Sequence, residues 1–360
     1  MRLLFYIHGI TGGGSERVLS EIVNRLANEG NEVHLATRTE FTYMFDIDSK
    51  VIQHNLYENY DYTFNRLLKA VILRCNIRRI AKAVAPDVII AFMAALGCSV
   101  IFSTLGLGIP VIVSEHTNVN RNLGHALNIK RRLLYPFASA VTVLTRNDIK
   151  LWKKIYANAV YMPNPIDLSV LNRTNNIRRK VVLAVGRVSE WRVKGFDNLI
   201  KCWSRLCHRF PDWKLEIAGD YDEASKLYLD ELAKEYDCIH YEFLGFRRDI
   251  DILMMNSEVF CLSSRIEGLP MALIEAMHYG CCCVSFDVTT GPREIICDKK
   301  SGLLAADQDN DDLTAQLQSV LENDSLRESL AHNAHESVKK YSISYVIMRW
   351  KILLEKVSRK

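Results

Sequence analysis

Hydrophobic residues along the chain fall into short apolar runs that alternate with segments of helical spacing. The first run, at 2–7, is followed by a glycine-containing loop and then by a helical pattern that begins near Ser15 and ends near Gly30. A strand, a glycine loop and a helix in this order are typical of the start of a parallel α/β unit. Further strands are predicted at Val33–Thr37, Val88–Phe92, Val111–Ser114 and Ala140–Leu144. The first half of the chain is therefore predicted to form a doubly wound parallel sheet.

The alternating pattern breaks at Tyr161–Asp167, which contains two prolines, and a polar segment follows from Asn172 to Lys180. The pattern then restarts and predicts a second set of strands, at 181–185, 214–218, 239–244, 259–262 and 282–286. We expect two Rossmann-like domains, at residues 1–163 and 164–343, that face each other across a cleft. The amphipathic segment at about 344–360 has the pattern needed to pack back on the first domain.

Length and composition agree with this division. The 360 residues exceed what one hydrophobic core usually organises, and 49% hydrophobic with 24% charged residues is ordinary globular usage. The ten cysteines include no C-x-x-C pair. Neighbours in the run Cys281–Cys283 would alternate between the two faces of an extended strand and could not pair. A single small module and a disordered chain are excluded, and a reduced, cytosolic protein is expected.

Charge is distributed unevenly, because residues 1–178 carry 21 Lys and Arg against 13 Asp and Glu, whereas the remainder is mildly acidic. Within Phe64–Ala85 there are six cations and no acid, and the apolar positions recur at near-helical spacing. Two interpretations of this basic amphipathic helix remain open: a solvated helix with one core-facing stripe, or contact with an anionic membrane surface or lipid phosphate. The candidate contact residues are Arg74, Arg78, Arg79 and Lys82.

The stretch Val88–Val113 contains no charged residue, but glycines and Pro110 divide it. A spanning helix needs about 20 uninterrupted apolar residues. A buried strand, a short helix and a second strand are therefore predicted here, and a membrane span is not.

Candidate chemistry lies where predicted strands end, because open α/β sheets bind ligands at the carboxyl ends of their strands. Gly12–Gly14 would let a phosphate or sugar approach the backbone, although a glycine loop is also simply a tight turn. Arg187 and Lys194 follow a strand and together suit a diphosphate, although two loop cations are common.

The segment from Ser263 to Met277 is the most specific one. Pro270 suits the first position of a helix and Gly280 suits its end, so Glu267 is placed on the preceding loop and Glu275 inside the helix. Glu275 then lies about 7–8 Å along the axis from Pro270. The two acids would suit the two ends of an extended ligand. Alternatively, Glu275 would be a salt-bridge partner, and Glu267 would interact with the helix dipole at its N-terminal end.

Taken together, the motifs resemble those of family 4 glycosyltransferases of the GT-B fold, and the resemblance covers nearly the whole chain. The matching segments, in the same order, are 12–17 (GGGSER), 114–116 (SEH), Arg187 with 194–195 (KG), 218–220 (AGD), the E-x7-E segment 267–275, 291–296 (GPREII) and 302–304 (GLL).

This resemblance implies a retaining transferase that uses a nucleotide-activated sugar and no bound metal. It implies that Arg187 and Lys194 hold the donor diphosphate, that Glu275 binds the ribose and that Glu267 lies at the donor sugar. Backbone amides of Gly268, Leu269 and Met271 would also bind the donor. His116 resembles the residue that reaches the donor sugar near its anomeric carbon, although a core histidine is the alternative. Gly13 and Gly14 resemble the loop that approaches the phosphate and the acceptor.

The expected reaction is transfer of a hexose or N-acetylhexosamine from a UDP-sugar to a polyprenyl-diphosphate-linked glycan, at the inner face of the cytoplasmic membrane. The basic segment and Lys130–Arg132 would suit that acceptor, and no nucleic acid is expected as a partner. The alternatives are a sugar-nucleotide 2-epimerase of the same architecture and a non-catalytic sugar-nucleotide or lipid-phosphate binding protein. The short acid pairs at 46–48, 220–222 and 249–251 resemble D-x-D metal motifs, but such pairs arise often by chance.

Overall fold

The computed structural model describes residues 1–10, 13–40, 43–61, 63–116, 123–153, 156, 158–168 and 178–359. These residues form two compact units. Unit 1 comprises residues 1–165 together with 343–360, and unit 2 comprises residues 166–342. Each unit is built from strands and helices that alternate along the chain.

The strands are β1 (Arg2–Tyr6), β2 (Glu32–Thr37), β3 (Ile52–Asn55), β4 (Val88–Phe92), β5 (Val111–Ser114), β6 (Ala140–Val143), β7 (Ala159–Tyr161), β8 (Arg179–Val185), β9 (Lys214–Ala218), β10 (Tyr241–Gly245), β11 (Ser257–Leu262), β12 (Cys282–Phe286) and β13 (Leu303–Ala305). The α-helices are α1 (Gly14–Asn28), α2 (Arg66–Val84), α3 (Ala94–Thr104), α4 (His125–Leu134), α5 (Arg146–Trp152), α6 (Trp191–Lys194), α7 (Phe196–Ser204), α8 (Glu223–Glu235), α9 (Ile250–Asn256), α10 (Met271–His278), α11 (Pro292–Ile295), α12 (Asn310–Glu322), α13 (Asp324–Ser337) and α14 (Ile343–Ser358). Short 3-10 turns lie at 135–137, 188–190 and 338–341.

Unit 1 contains a parallel sheet in the order β3-β2-β1-β4-β5-β6-β7. The apolar runs of the strands are buried because helices cover both faces of the sheet. Leu3 and Phe5 belong to the core that α1 and α14 cover, whereas Leu4 and Tyr6 belong to the core under α2 and α3. This alternation follows from the two-residue period of a strand.

The C-terminal helix α14 packs on unit 1. Its apolar face, which includes the buried Trp350, belongs to the same core as β1 and α1. Arg349 donates a hydrogen bond of 2.8 Å to the carbonyl of Tyr161, and Lys351 pairs with Glu29 at 3.0 Å. The last part of the chain thus completes the first unit.

Unit 2 contains a parallel sheet in the order β10-β9-β8-β11-β12-β13. All ten cysteines lie in described residues and all are free thiols. Cys282 is buried in β12, and burial raises the pKa of its thiol to about 12. The cysteine run is therefore core material without nucleophilic character.

The predicted α/β architecture of two parallel sheets is confirmed. Strands 88–92, 111–114, 214–218 and 282–286 have the predicted bounds, and the uncharged stretch 88–113 forms β4, α3 and β5. The strand expected from Ile239 begins instead at Tyr241, because His240 has a positive φ of 54° that interrupts extended backbone. The short strands β3, β7 and β13 were not predicted. Among the described residues, no helix combines the length and the apolar character needed to cross a bilayer.

Candidate functional site

Three loops of unit 2 meet at the carboxyl ends of the adjacent strands β8, β11 and β12. Ser263 Oγ donates a hydrogen bond to the carbonyl of Lys194 at 2.9 Å, and the amide of Arg265 donates to the carbonyl of Val193 at 2.8 Å. From the third loop, Thr290 Oγ1 donates to the carbonyl of Glu267 at 2.7 Å. Hydrogen bonds to backbone carbonyls therefore fix the three loops against one another.

Two predicted site residues meet in this arrangement. Lys194 Nζ lies 2.9 Å from Glu267 Oε1, and their side chains are only 24% and 11% exposed. Lys194 was expected on a loop, but it is the last residue of the short helix α6, which directs its side chain from a more rigid base. A phosphate that binds here would compete with Glu267 for the ammonium group of Lys194. Because the pair is shielded from water, the attraction between the ammonium group and either anion is strong.

Arg187, the other predicted donor cation, follows β8. Its guanidinium lies 3.4 Å from Glu190, and its side chain is 59% exposed. Exposed pairs of this kind contribute little to stability, so the guanidinium can exchange its carboxylate for another anion at small cost.

Glycines allow the unit 2 loops to approach so closely. Gly195 has φ +67°, and a Cβ there would overlap the carbonyl oxygen of Ser263. Gly291 has φ +100°, and a Cβ there would lie 2.6 Å from Pro270 Cδ and 2.7 Å from the carbonyl oxygen of Gly268. At both positions only glycine combines the required backbone angle with the close contact.

A bidentate ion pair between helix α7 and the loop after β11 further fixes the segment that carries Glu267. Arg265 donates to both carboxylate oxygens of Asp197 at 2.7 Å, and also to the carbonyl of Arg192 at 2.8 Å. Bidentate pairs of this type restrict orientation as well as position. Neither Arg265 nor Asp197 was predicted as a site residue, because their 68-residue separation gives no local signal.

Helix α10 begins one residue later than predicted, with Pro270 at the N-cap position. Glu275 is half-buried in the second turn, and Gly280 follows the helix with φ +80°, as its proposed place at the helix end requires. The first amides of a helix lack intrahelical acceptors, so the amide of Met271 belongs to an end that attracts anions. Gly268 and the buried Leu269 complete the loop before this helix end.

In unit 1, His116 lies just beyond β5 and is half-buried. Its ring stacks on Phe92 with centroids 4.9 Å apart, and its Nε2 lies 3.0 Å from Ser114 Oγ, which accepts from Thr142 Oγ1 at 3.1 Å. Desolvation lowers the pKa of His116 to about 4. The ring is therefore neutral near pH 7, and it is able to exchange hydrogen bonds with a sugar hydroxyl without adding charge.

Glu115 points to the opposite side of the strand from its two neighbours in the SEH motif. It is 1% exposed, accepts a short hydrogen bond from the hydroxyl of Tyr135 and lies 3.4 Å from Arg131. The guanidinium of Arg131 lies 4.5 Å from the ring centroid of Trp152. Arg131 was expected in a lipid-phosphate triplet, but the structure buries it, because it neutralises the buried Glu115.

The glycine loop of unit 1 differs from those of unit 2. Gly12 lies outside the described residues, and Gly13 is the N-cap of α1, with its amide donating to Glu16 at 3.1 Å. Gly13 has φ −82°, and a Cβ on Gly14 would meet no atom within 4 Å. Neither conformation nor packing among the described residues requires glycine at position 14, so the surface above it is open.

The basic segment forms α2, and its arginines contact neighbouring elements of unit 1. Arg78 donates to the carbonyls of Ser103 and Leu105 at 2.7 and 3.0 Å, at the C-terminal end of α3. The guanidinium of Arg74 lies 4.6 Å from the ring centroid of Phe102. Arg79 pairs with Glu58, and Lys82 is exposed. Arg78 thus has a structural role besides any contact with a membrane.

The short acid pairs have local structural roles. Asp222 caps α8 through the amide of Ser225 at 2.8 Å, Asp249 pairs with Arg247, and Asp48 accepts from Asn28 at 2.9 Å. Within the described ranges, no group of three or more His, Cys, Asp or Glu side chains is arranged to hold a metal ion.

Two family descriptions match consecutive parts of the chain. Residues 12–170 match the model described as "Glycosyltransferase Family 4", and residues 172–337 match "Glycosyl transferases group 1". The boundary between the matches falls close to the boundary between the two units.

Relatives similar over nearly their whole length are also glycosyltransferases. One from Campylobacter jejuni is 27% identical over 99% of both chains, and its name is GalNAc-α-(1→4)-GalNAc-α-(1→3)-diNAcBac-PP-undecaprenol α-1,4-N-acetyl-D-galactosaminyltransferase. The amylovoran biosynthesis glycosyltransferase AmsD of Erwinia amylovora is 29% identical over 98% of this chain and 99% of its own.

A solved structure gives the same fold. HepE of Anabaena, in complex with UDP and glucose, has a TM-score of 0.81 and 16% identity over 99% of this chain and 100% of its own. With both family descriptions matched in succession and two parallel α/β sheets in the structure, the chain belongs to the family 4 (group 1) glycosyltransferases and has the GT-B fold.

Proposed function

We propose that this protein transfers a hexose or an N-acetylhexosamine from a UDP-sugar to a hydroxyl of a polyprenyl-diphosphate-linked glycan, with retention of anomeric configuration and without a bound metal. The observation that carries the proposal is the shielded Lys194–Glu267 pair, which joins the loops after β8 and β11 close to the N-terminal end of α10. The Campylobacter relative is named for a sugar on diphospho-undecaprenol, and HepE was solved with UDP and glucose.

Unit 2 binds the donor in this proposal. Arg187 and Lys194 neutralise the diphosphate, and the amides of Gly268, Leu269 and Met271 add dipoles directed at the same group. Glu275 binds the ribose. The diphosphate displaces Glu267 from Lys194, and the Glu267 carboxylate accepts hydrogen bonds from the donor sugar. Fixed cations and amides stabilise the leaving diphosphate without reorganising during the reaction.

The reaction is a same-face substitution. The acceptor oxygen forms a bond to the anomeric carbon on the face from which the bond to the diphosphate oxygen breaks. The electron pair of the broken bond stays on the diphosphate, and the acceptor proton moves to a diphosphate oxygen. Neutral His116 accepts or donates a hydrogen bond at the donor sugar. Unlike the retaining glycosidases, this route needs no second carboxylate as a nucleophile.

Unit 1 binds the acceptor and supplies the contact with the membrane. Gly13 and Gly14 leave room for the acceptor or phosphate to approach the backbone. In α2, exposed apolar residues accompany an exposed cation: Leu67 is 79% exposed and Val71 is 48% exposed, beside the exposed Arg66. Such a face suits an anionic membrane surface, which is the inner face of the cytoplasmic membrane for a cytosolic protein.

The test combines a substrate panel with one double variant. Nucleotide sugars are offered with short lipid-diphosphate glycans, and products are scored by mass and anomeric configuration, with and without EDTA. Arg187→Ala with Lys194→Ala should lower kcat by more than about 100-fold while the fold is retained, because each change removes a charge at the leaving group. Arg192→Ala, a change in the same segment, serves as the matched control and should stay near wild type.

Each outcome has a definite meaning. Near-normal activity of the double variant would contradict the donor assignment, and inversion of configuration would contradict the same-face route. Loss of activity in EDTA would contradict metal independence. Acceptor-independent conversion of the nucleotide sugar would indicate a 2-epimerase, and ligand binding without turnover would indicate a binding protein.

A further inference from the structure

A second cluster of polar side chains lies in unit 1, at the carboxyl ends of β1, β2 and β3. His8 lies two residues beyond β1, Arg38 directly follows β2, and Tyr57 lies two residues beyond β3. The three strands are neighbours in the order β3-β2-β1, so their ends lie side by side. We call these three residues the β1–β3 edge cluster.

Direct contacts join the members of the edge cluster. A hydrogen bond joins His8 Nδ1 to the hydroxyl of Tyr57. The guanidinium carbon of Arg38 lies 4.7 Å from the centroid of the Tyr57 ring. Tyr57 itself is buried, with its ring 5.0 Å from Tyr60, and its amide donates to Asn55 at 2.9 Å. The tyrosine thus positions both the imidazole and the guanidinium.

The edge cluster has the chemistry of an anion site. Arg38 carries a permanent charge and a planar set of donors that matches phosphate oxygens. Because Nδ1 of His8 is occupied by Tyr57, its Nε2 is the ring nitrogen left for a ligand.

The distance from the edge cluster to His116 is also informative. Strand β5, which precedes His116, is three strands away from β2 in the order β2-β1-β4-β5. At about 4.8 Å between neighbouring strands, the two strand ends are roughly 14 Å apart. A ligand with one end near His116 and an anionic group at Arg38 must therefore be elongated, as a glycan carried on a diphosphate is.

We propose that the edge cluster binds the diphosphate of the lipid-linked acceptor, with Arg38 and His8 as the contacting residues and Tyr57 as the positioning residue. This inference rests on the proposed function for the identity of the acceptor. It places the acceptor diphosphate at one side of the unit 1 sheet and its reacting sugar near β5. The donor diphosphate and the acceptor diphosphate then have separate cation sets, on unit 2 and unit 1 respectively.

The test compares two acceptors that carry the same glycan, one on a lipid diphosphate and one on an uncharged alkyl group. Arg38→Gln should raise KM for the diphosphate acceptor by about 10- to 100-fold, which is the usual effect of losing a charge-assisted hydrogen bond. KM for the uncharged acceptor and for the nucleotide sugar should stay unchanged. Arg38→Lys, which keeps the charge but loses the fork, should be intermediate. Arg25→Gln, on the outer part of α1, is the charge-matched control.

A direct binding measurement separates this proposal from the proposed function. Geranyl diphosphate is titrated by calorimetry into the Arg187→Ala, Lys194→Ala variant, in which the proposed donor site is disabled, and into the same variant with Arg38→Gln. Binding that depends on Arg38 supports the edge cluster even if no transfer to any acceptor is found. Equal binding by both variants would overturn the proposal. Equal KM increases for the charged and uncharged acceptors would also overturn it, because they would indicate a purely structural role.

Discussion

The glycines of the two units serve different purposes. In unit 2, Gly195 and Gly291 have positive φ angles, and a side chain at either position would collide with a neighbouring loop. In unit 1, Gly14 lies in the first turn of α1, where a methyl group would meet nothing within 4 Å. The unit 2 glycines are therefore needed to assemble the candidate site. Neither the conformation nor the packing of the described residues requires glycine at position 14, and we predict that its small size serves the approach of a ligand.

The largest effect is expected from Gly195→Ala. The added Cβ would overlap the carbonyl oxygen of Ser263, and φ +67° is unfavourable for alanine. We expect the free energy of unfolding to fall by more than about 3 kcal/mol, as measured by urea denaturation. A loss below about 1 kcal/mol would show that the loops can separate without cost, and the contrast between the units would weaken.

Glu115→Gln should have the next largest effect, because unit 1 contains a buried ion pair between Glu115 and Arg131. Arg131 would be left buried without a counter-charge, so the free energy of unfolding should fall by about 3 kcal/mol. Urea denaturation measures this fall in the free energy of unfolding as well. As a control, Glu58→Gln removes an exposed pair with Arg79 and should change stability by less than about 1 kcal/mol.

Gly14→Ala should separate stability from activity. Alanine is a better residue than glycine in a helical turn, so the variant should gain up to about 1 kcal/mol of stability. If a ligand must approach this backbone, transfer to the acceptor should fall by about 100-fold, while donor hydrolysis is retained. Full transferase activity in a stabilised variant would mean that the open surface at Gly14 is not used.

The smallest effect concerns pH. With the pKa of His116 at about 4 in the folded protein and near 6.5 when unfolded, the unfolded chain takes up the proton first as the solution is acidified. His116 should therefore reduce the free energy of unfolding as pH falls from about 6.5 to 4. In His116→Gln this part of the pH dependence should disappear, whereas the exposed His332→Gln should leave it intact. An unchanged slope in His116→Gln would show that the ring is not desolvated.

Strands were the most predictable part of the fold, because a buried parallel strand is a continuous apolar run, as in Val88–Phe92. The short strand β3 at the sheet edge escaped prediction because three of its four residues are polar and its one apolar residue, Ile52, is exposed. A three-residue strand such as β7 has too few positions to show any period.

The motifs and their order along the chain identified the candidate site residues but not the side chains that these residues contact. Lys194 and Glu267 are 73 positions apart, and only the adjacency of β8 and β11 brings them together. The inward direction of Glu115 follows from strand alternation and was predictable in principle. The role of Arg131 was not predictable. Together with its neighbours Lys130 and Arg132 it forms a basic run, which is equally typical of a solvated helix face.

Because α14 supplies part of the hydrophobic core of unit 1, that unit consists of two stretches of chain with unit 2 inserted between them. During translation, residues 166–342 emerge from the ribosome before the helix that covers β1 and α1. At about 5–20 residues per second, the incomplete first unit would expose apolar surface for several seconds or longer. We therefore expect the later-synthesised unit to mature first, and chaperone binding in the cell to concentrate on the earlier one.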